Sequence, residues 1–197
     1  MRKLIVNEFL SLDGVMQAPG GPDEDQSGGF EHGGWQMPYF DEVFGKAVTD
    51  GIAAAGGFVL GRKTYEIFAG YWPTAPAEEQ AVAEPLNNLP KYVASRTLSE
   101  PLAWNNSTLL AGDVAEEVDK LKQSSGEHLL VIGSGDLVQT LIRNDLVDEY
   151  RVMIHPVVLG TGARLFRDGN AKRPLTLLHA TTSSTGVLIA TYRPAAK

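Results

Sequence analysis

Leu129-Leu130-Val131-Ile132-Gly133-Ser134-Gly135-Asp136 is an apolar run that breaks at a Gly-rich turn before a helical pattern begins. A short run without polar alternation fits a strand buried on both faces. The pattern recurs twice. Phe58-Val59-Leu60-Gly61-Arg62-Lys63-Thr64-Tyr65 breaks at a glycine and restarts as a helix that opens with two cations. Tyr92-Val93-Ala94-Ser95-Arg96-Thr97 ends in hydroxyls and an arginine. The positive end of the helix macrodipole disfavours cations at a helix start, so Arg62 and Lys63 make most sense if an anion joins them. Free backbone N–H groups at such turns suit a phosphate. Two such turns and a hydroxyl–arginine pair suit a phosphorylated dinucleotide better than a single phosphate.

Outward from these turns, the expected elements are as follows. Leu4–Leu10 reads as a first strand and Pro38 as the start of a helix reaching about Ala55. A short helix from Arg62 to about Phe68 follows the second strand, and a helical turn is expected near Glu78–Ala83. Tyr92–Ala94 and Thr108–Leu110 read as strands. Asp113 is a plausible N-cap for a helix with Val118 and Leu121 on its core side. Val147–His155 reads as a strand continuing past Pro156 through Leu159–Leu165. Leu175–Thr182 and Val187–Tyr192 flank Ser183-Ser184-Thr185-Gly186 as a hairpin. Between the first strand and the first helix, Ser11–Trp35 is rich in Gly, Pro and Asp and reads as a lid or pocket rim. The expectation is one α/β domain, 1–197. Its central sheet is mostly parallel and flanked by helices, with an antiparallel C-terminal hairpin. Ligands of such sheets bind at the carboxyl ends of strands, where all three turns fall.

Composition narrows the function. The 197 residues are 43% hydrophobic and 21% charged, ordinary for a globular protein. A net charge of -7 gives no general attraction to nucleic acid or an anionic membrane. No stretch approaches the roughly 20 apolar residues of a membrane span. The absence of cysteine removes disulfides and thiolate chemistry and fits a reducing cytoplasm. No metal site is expected: His32 has no partner at ligand spacing, and Asp23, Glu24 and Asp25 read as a solvated acidic run. Cofactor-borne redox chemistry is then the strongest enzymatic reading. An arginine near the ribose, Arg96 or Arg62, would favour the 2′-phosphate of NADP over NAD.

Each motif also has a plainer account. Gly133-Ser134-Gly135 lacks the third glycine of the dinucleotide fingerprint, since Val138 stands there. Ser95 and Arg96 could equally cap a turn. Asp13, in Ser11-Leu12-Asp13-Gly14, fits an Asx turn. Asp41 suits a helix first turn for its dipole alone, or serves as an acid that orients or protonates substrate. His155, before Pro156 in an apolar strand, reads as packing.

These residues resemble the dihydrofolate reductase fold, and more closely the reductase domain of bifunctional riboflavin-biosynthesis proteins. Leu10-Ser11-Leu12-Asp13-Gly14 is similar to that family's first-strand loop. Gly61-Arg62-Lys63-Thr64-Tyr65-Glu66 is similar to the Gly-Arg-x-Thr-x-Glu motif of dihydrofolate reductases. Leu146-Val147-Asp148-Glu149, then Pro156-Val157-Val158-Leu159-Gly160, resembles the riboflavin-type signature. The resemblance implies NADPH as cofactor, with contacts from Arg62, Thr64, Ser95, Arg96, Gly133, Ser134 and Gly135; Lys63 joins them on the helix-start argument. It implies a substrate-binding acid at Asp41, with Asp13 as the alternative, a small heterocyclic substrate and a homodimer. A riboflavin-pathway pyrimidine leads as substrate; a pterin reductase and a non-catalytic NADP(H)-binding protein are the rivals.

Overall fold

The structure, a computed structural model, describes residues 1–195. Packing divides the chain into two compact units. The first takes Met1–Ile5 and Val48–Asp148; the second takes Val6–Ala47 and the chain from Glu149 onward. Strand β1 (Leu4–Ser11) and helix α1 (Glu42–Ala53) therefore each contribute to both.

The first unit alternates strands and helices: β2 (Phe58–Gly61), α2 (Arg62–Tyr71), α3 (Gln80–Asn88), β3 (Lys91–Ala94), β4 (Ser107–Leu110), α4 (Val114–Gln123), β5 (Leu129–Ile132) and α5 (Gly135–Arg143). Its strands lie in the order β4-β3-β2-β5-β1. The β4–β3, β3–β2 and β2–β5 pairs are parallel. Phe58, Val59 and Leu60, like Leu129, Leu130 and Val131, are fully buried, which is why these strands read as unbroken apolar runs. Ile5, Ile52, Tyr65, Leu86, Val93 and Trp104 complete the core around Phe58, Leu60 and Leu130. Asp113 caps α4 by accepting from the N–H groups of Ala115 and Glu116. Buried Lys91 closes α3 from the other end: its ammonium donates to the carbonyls of Leu86, Asn87 and Leu89 and lies 4.4 Å from the centre of the Trp104 ring.

The second unit takes the rest of β1 with β6 (Glu149–His155), β7 (Leu175–Thr182) and β8 (Leu188–Pro194), in the order β1-β6-β8-β7. The β6–β8 and β8–β7 pairs are antiparallel, with a bulge between Leu177 and His179. The architecture is thus α/β, parallel among β2–β5 and antiparallel at the C-terminal strands.

Four expectations are corrected. The helix expected from Pro38 is split. A 3-10 turn covers Met37–Tyr39, Phe40 is extended at φ -67 and ψ 129, and α1 starts only at Glu42. Helix α2 runs on to Tyr71, and the turn expected near Glu78 is a 3-10 turn at Ala77–Glu79 leading into all of α3, which contains Pro85. The strand expected through Leu159–Leu165 does not form. Gly160 and Gly162 adopt φ of 77 and 109, the N–H groups of Leu159 and Gly160 are taken by Asp13, and only the bridge Val15–Arg164 remains. The Ser11–Trp35 loop is no mere rim. Val15, Ala18, Phe30 and Trp35 are buried and pack as a cluster with Phe9, Val157 and Leu159. Gln17 pins the loop, its amide donating to the Asp25 and Ser27 carbonyls and its carbonyl oxygen accepting from Ala163.

Candidate functional site

In the first unit the three signature turns leave the carboxyl ends of β3, β2 and β5. These are neighbouring parallel strands, so the turns share one edge of the sheet. Gly61, the last residue of β2, pairs with Ala94, the last of β3, so Ser95 starts beside the α2 N-terminus. The β2 and β5 turns are stitched together by side chains. The Thr64 hydroxyl oxygen accepts the Ser134 N–H at 2.8 Å. The Ser134 hydroxyl accepts the Gly61 N–H at 2.9 Å and donates to the Ile132 carbonyl at 3.0 Å. Gly133 and Ser134 are both left-handed, at φ 57 and 58. A Cβ on Gly133 would sit 2.8 Å from the Thr64 hydroxyl, so this glycine is required by the clasp as well as by its backbone angle.

The clasp sets two helix N-termini side by side, and neither has a side-chain cap: α2 starts at Arg62 and α5 at Gly135. First-turn N–H groups without a side-chain cap, at the positive ends of two helix dipoles, are groups that could cradle an anion. This fits a phosphorylated dinucleotide. Arg62 pairs with Glu66 at 2.8 Å, one turn on, and both side chains are about half exposed. An exposed pair of this kind is worth only about 0–1 kcal/mol, leaving the guanidinium open to recruitment by a stronger anion. Lys63 lies on the exposed first turn of α2. Ser95 acts as a turn cap, its hydroxyl accepting from the N–H groups of Thr97 and Leu98, while Arg96 is exposed.

The aspartates belong to the second unit. Asp41 is the residue before α1. One carboxylate oxygen accepts the Phe44 N–H at 2.8 Å, an N-cap. The other accepts from the Ser184 N–H, the Ser184 hydroxyl and the Thr185 N–H, all in the β7–β8 turn. Bonds from Phe44 and from the Ser184 hydroxyl lead in holding its pKa down to about 2. Asp13 is a second such hub. Burial disfavours its charge, but donors from Ser11, Leu159 and Gly160 outweigh burial and hold the carboxyl well below the usual range. Arg164 adds an ion pair at 3.3 Å. Both groups are ionised acceptors near neutral pH. In this arrangement each carboxylate anchors the donors around it.

His155 is fully buried, as its packing role implied. Its Nδ1 lies 3.2 Å from the Leu10 carbonyl and 3.0 Å from that of Met153, so Nδ1 carries the proton. The rings of Phe9, Trp35, Tyr39 and Phe44 stand around it at 5.1–6.1 Å, all steeply inclined, and Nε2 has no hydrogen-bond partner. Burial lowers its pKa. Sequence reading missed this cage and the Thr64–Ser134 clasp, because neither leaves a local spacing.

Among the described residues no helix is long and apolar enough to cross a membrane, and no group of three metal-ligating side chains forms. Comparison with known proteins places the chain. It is 31% identical to YyaP of Bacillus subtilis (strain 168) over 193 residues, 97% of this chain and 94% of that protein. YwjB of the same organism is 25% identical over 172 residues, 85% and 84% of the two chains. The fold is shared with a putative riboflavin biosynthesis protein from Shewanella sp. PV-4, at TM-score 0.68 and 20% identity, covering 98% of this chain and 99% of that one. It is shared too with a pyrimidine reductase-like protein from Corynebacterium diphtheriae, at TM-score 0.63 and 12% identity, covering 100% and 93%. The model of the RibD C-terminal domain, a reductase family, matches residues 2–189, and the chain belongs to that family.

Proposed function

We propose that the chain is an NADPH-dependent reductase that passes hydride to a small heterocycle. The acceptor class is a riboflavin-pathway pyrimidine of the 5-amino-6-(5-phosphoribosylamino)uracil type. The observation that carries this reading is the Thr64–Ser134 clasp. It holds two uncapped helix N-termini beside the Ser95-Arg96 turn, in a chain of a reductase family. The cofactor, when bound, supplies the hydride. The protein's part is to bind and orient. First-turn N–H groups of α2 and α5 take phosphate oxygens, and Arg96, with Arg62 drawn from Glu66, takes the 2′-phosphate. Asp41 and Asp13, fully engaged as acceptors, anchor loops, so the proton that follows hydride comes from water.

Calorimetric titration with NADPH and NADH tests the cofactor. NADPH is expected to bind more tightly, and Arg96→Ala to weaken it by about 1–3 kcal/mol while leaving NADH nearly unchanged. Equal affinities would sink the assignment. A screen of pyrimidine and pterin acceptors, followed by loss of NADPH absorbance, tests the reaction; tight NADPH binding with no acceptor consumed would identify a binding protein instead.

A further inference from the structure

His155 is the last residue of β6, fully buried in the second unit, and the reaction proposed above makes no use of it. Ligands of open α/β sheets bind at the carboxyl ends of strands, where it stands. Its Nδ1 faces backbone, with the Leu10 and Met153 carbonyls at 3.2 and 3.0 Å. The two nitrogens of an imidazole flank Cε1 and point apart, so Nε2 is turned away from those carbonyls. Burial keeps the ring neutral, which leaves Nε2 an acceptor. No donor reaches it. The Trp35 indole N–H beside it is spent on the Gln17 carbonyl at 2.8 Å. A buried polar atom without a partner is costly, and native proteins keep few of them.

The walls around this lone pair differ in how firmly they are held. Trp35 is buried and tied by its bond to Gln17, and Phe44 is buried on α1. Phe9 is fixed by its place within β1. Tyr39 belongs to a three-residue 3-10 turn, and its side chain is only half-buried. The Thr185 hydroxyl donates to its carbonyl oxygen at 2.6 Å, so the backbone is pinned while the ring can turn about χ1. Tyr39 is the movable wall of an aromatic box.

We propose that His155 Nε2 accepts an N–H from the heterocycle this chain reduces, held among Phe9, Trp35 and Phe44 once the Tyr39 ring turns aside. The identity of the guest rests on the reductase reading. The chemistry of the box is selective by itself. Its rings stand at 72–89° to the imidazole and supply apolar walls for a flat guest. The single lone pair then demands a donor on the guest's edge, as an aminopyrimidinedione carries. A flat ring with only carbonyl oxygens or alkylated nitrogens at that edge leaves Nε2 unpaired and is rejected.

The probe is 5,6-diaminouracil, titrated into the cofactor-free chain labelled with nitrogen-15 histidine. The His155 resonances are assigned by their loss from the spectrum of His155→Asn. The probe is expected to move Nε2 upfield, as acceptance of a hydrogen bond does, and to leave Nδ1 in place. The flat analogue 1,3-dimethyluracil, which has no N–H, is expected to leave both in place. His155→Asn keeps a donor for Leu10 and Met153 but loses the imidazole lone pair, and is expected to raise the probe Kd by roughly tenfold or more. Tyr39→Ala is expected to speed association in stopped-flow tryptophan fluorescence. No binding at millimolar probe, binding that leaves Nε2 unmoved, an Nε2 resonance already hydrogen-bonded in the free chain, an equal response to dimethyluracil, or an equal Kd for His155→Asn would each overturn the proposal. An unchanged association rate for Tyr39→Ala would remove Tyr39 as the movable wall. The NADPH titration separates the two readings: NADPH bound with Nε2 unmoved removes His155 alone, and Nε2 moved without NADPH binding removes the cofactor alone.

Discussion

Replacing Thr64 by valine isolates the bond on which the cradle depends. Valine keeps the shape of threonine and deletes the oxygen that accepts the Ser134 N–H at 2.8 Å. Both residues are buried, each 9% exposed, so water cannot readily replace the lost acceptor. An orphaned buried donor costs about 1–3 kcal/mol. For a chain of this size each kcal/mol moves the melting temperature by about 2–4 °C. Thr64→Ser keeps the oxygen and loses one methyl, which costs only about 0.8 kcal/mol. Urea unfolding followed by circular dichroism is expected to show Thr64→Val with a lower midpoint and an unchanged slope, and Thr64→Ser nearer wild type. Because Ser134 also holds Gly61 and Ile132, the valine variant should spread the two N-termini and weaken NADPH in the same titration that tests Arg96. If valine unfolds at the wild-type midpoint, or serine does no better than valine, the clasp is incidental and the phosphate argument built on it fails.

Two further outcomes concern the second unit. Burial lowers the folded pKa of His155 below the unfolded value of about 6.5. The unfolded chain therefore binds the extra proton first, and stability should fall as pH drops below about 6.5. His155→Asn keeps an N–H donor for Leu10 and Met153 but cannot titrate, so its stability between pH 7 and 5, read by urea midpoints, should be flatter than wild type. Asp41 titrates the other way: its pKa is depressed to about 2, so its clasp is complete above the unfolded value of about 3.9 and is lost as pH falls through 2. Asp41→Asn should lower the melting temperature and speed exchange of the Ser184 and Thr185 amides while acceptor turnover holds. Turnover reduced by about 10²–10⁴ at an unchanged melting temperature would instead make Asp41 the proton donor.

What the sequence made legible was local. Leu129–Ile132 is buried on both faces and so reads as a strand without context; Asp113 announces α4 because its partners are two and three residues away. The Ser183–Gly186 turn is written in its own residues. The break at Phe40–Asp41 was not, because its cause is the β7–β8 turn 143 residues later, which draws the Asp41 carboxylate out of the helix and makes it a cap. The apolar spacing of Phe40, Val43, Phe44 and Ala47 stayed helical across that break. Likewise the alternation in Leu159–Leu165 suggests a strand, but Asp13 claims its N–H groups from 146 and 147 residues away. The cradle was half legible: each turn could be located alone, whereas Thr64 and Ser134, 70 residues apart, could not be joined.

The division of the chain also orders its assembly in time. Of the first unit, all but Met1–Ile5 is one continuous stretch, Val48–Asp148, whose β2, β3, β4 and β5 follow one another closely. The second unit is split by that entire stretch, with Val6–Ala47 on one side and β6, β7 and β8 on the other. Joining its two pieces across about a hundred residues of flexible chain would cost about 4 kcal/mol of closure entropy. Once Val48–Asp148 has folded, the chain between the two pieces is no longer flexible and less of that cost is left to meet. On a ribosome, the buried cluster of Val15, Phe30 and Trp35 has no Val157 or Leu159 to pack against until the C-terminal strands emerge. Until then the apolar side chains of that loop lack part of the cluster that buries them.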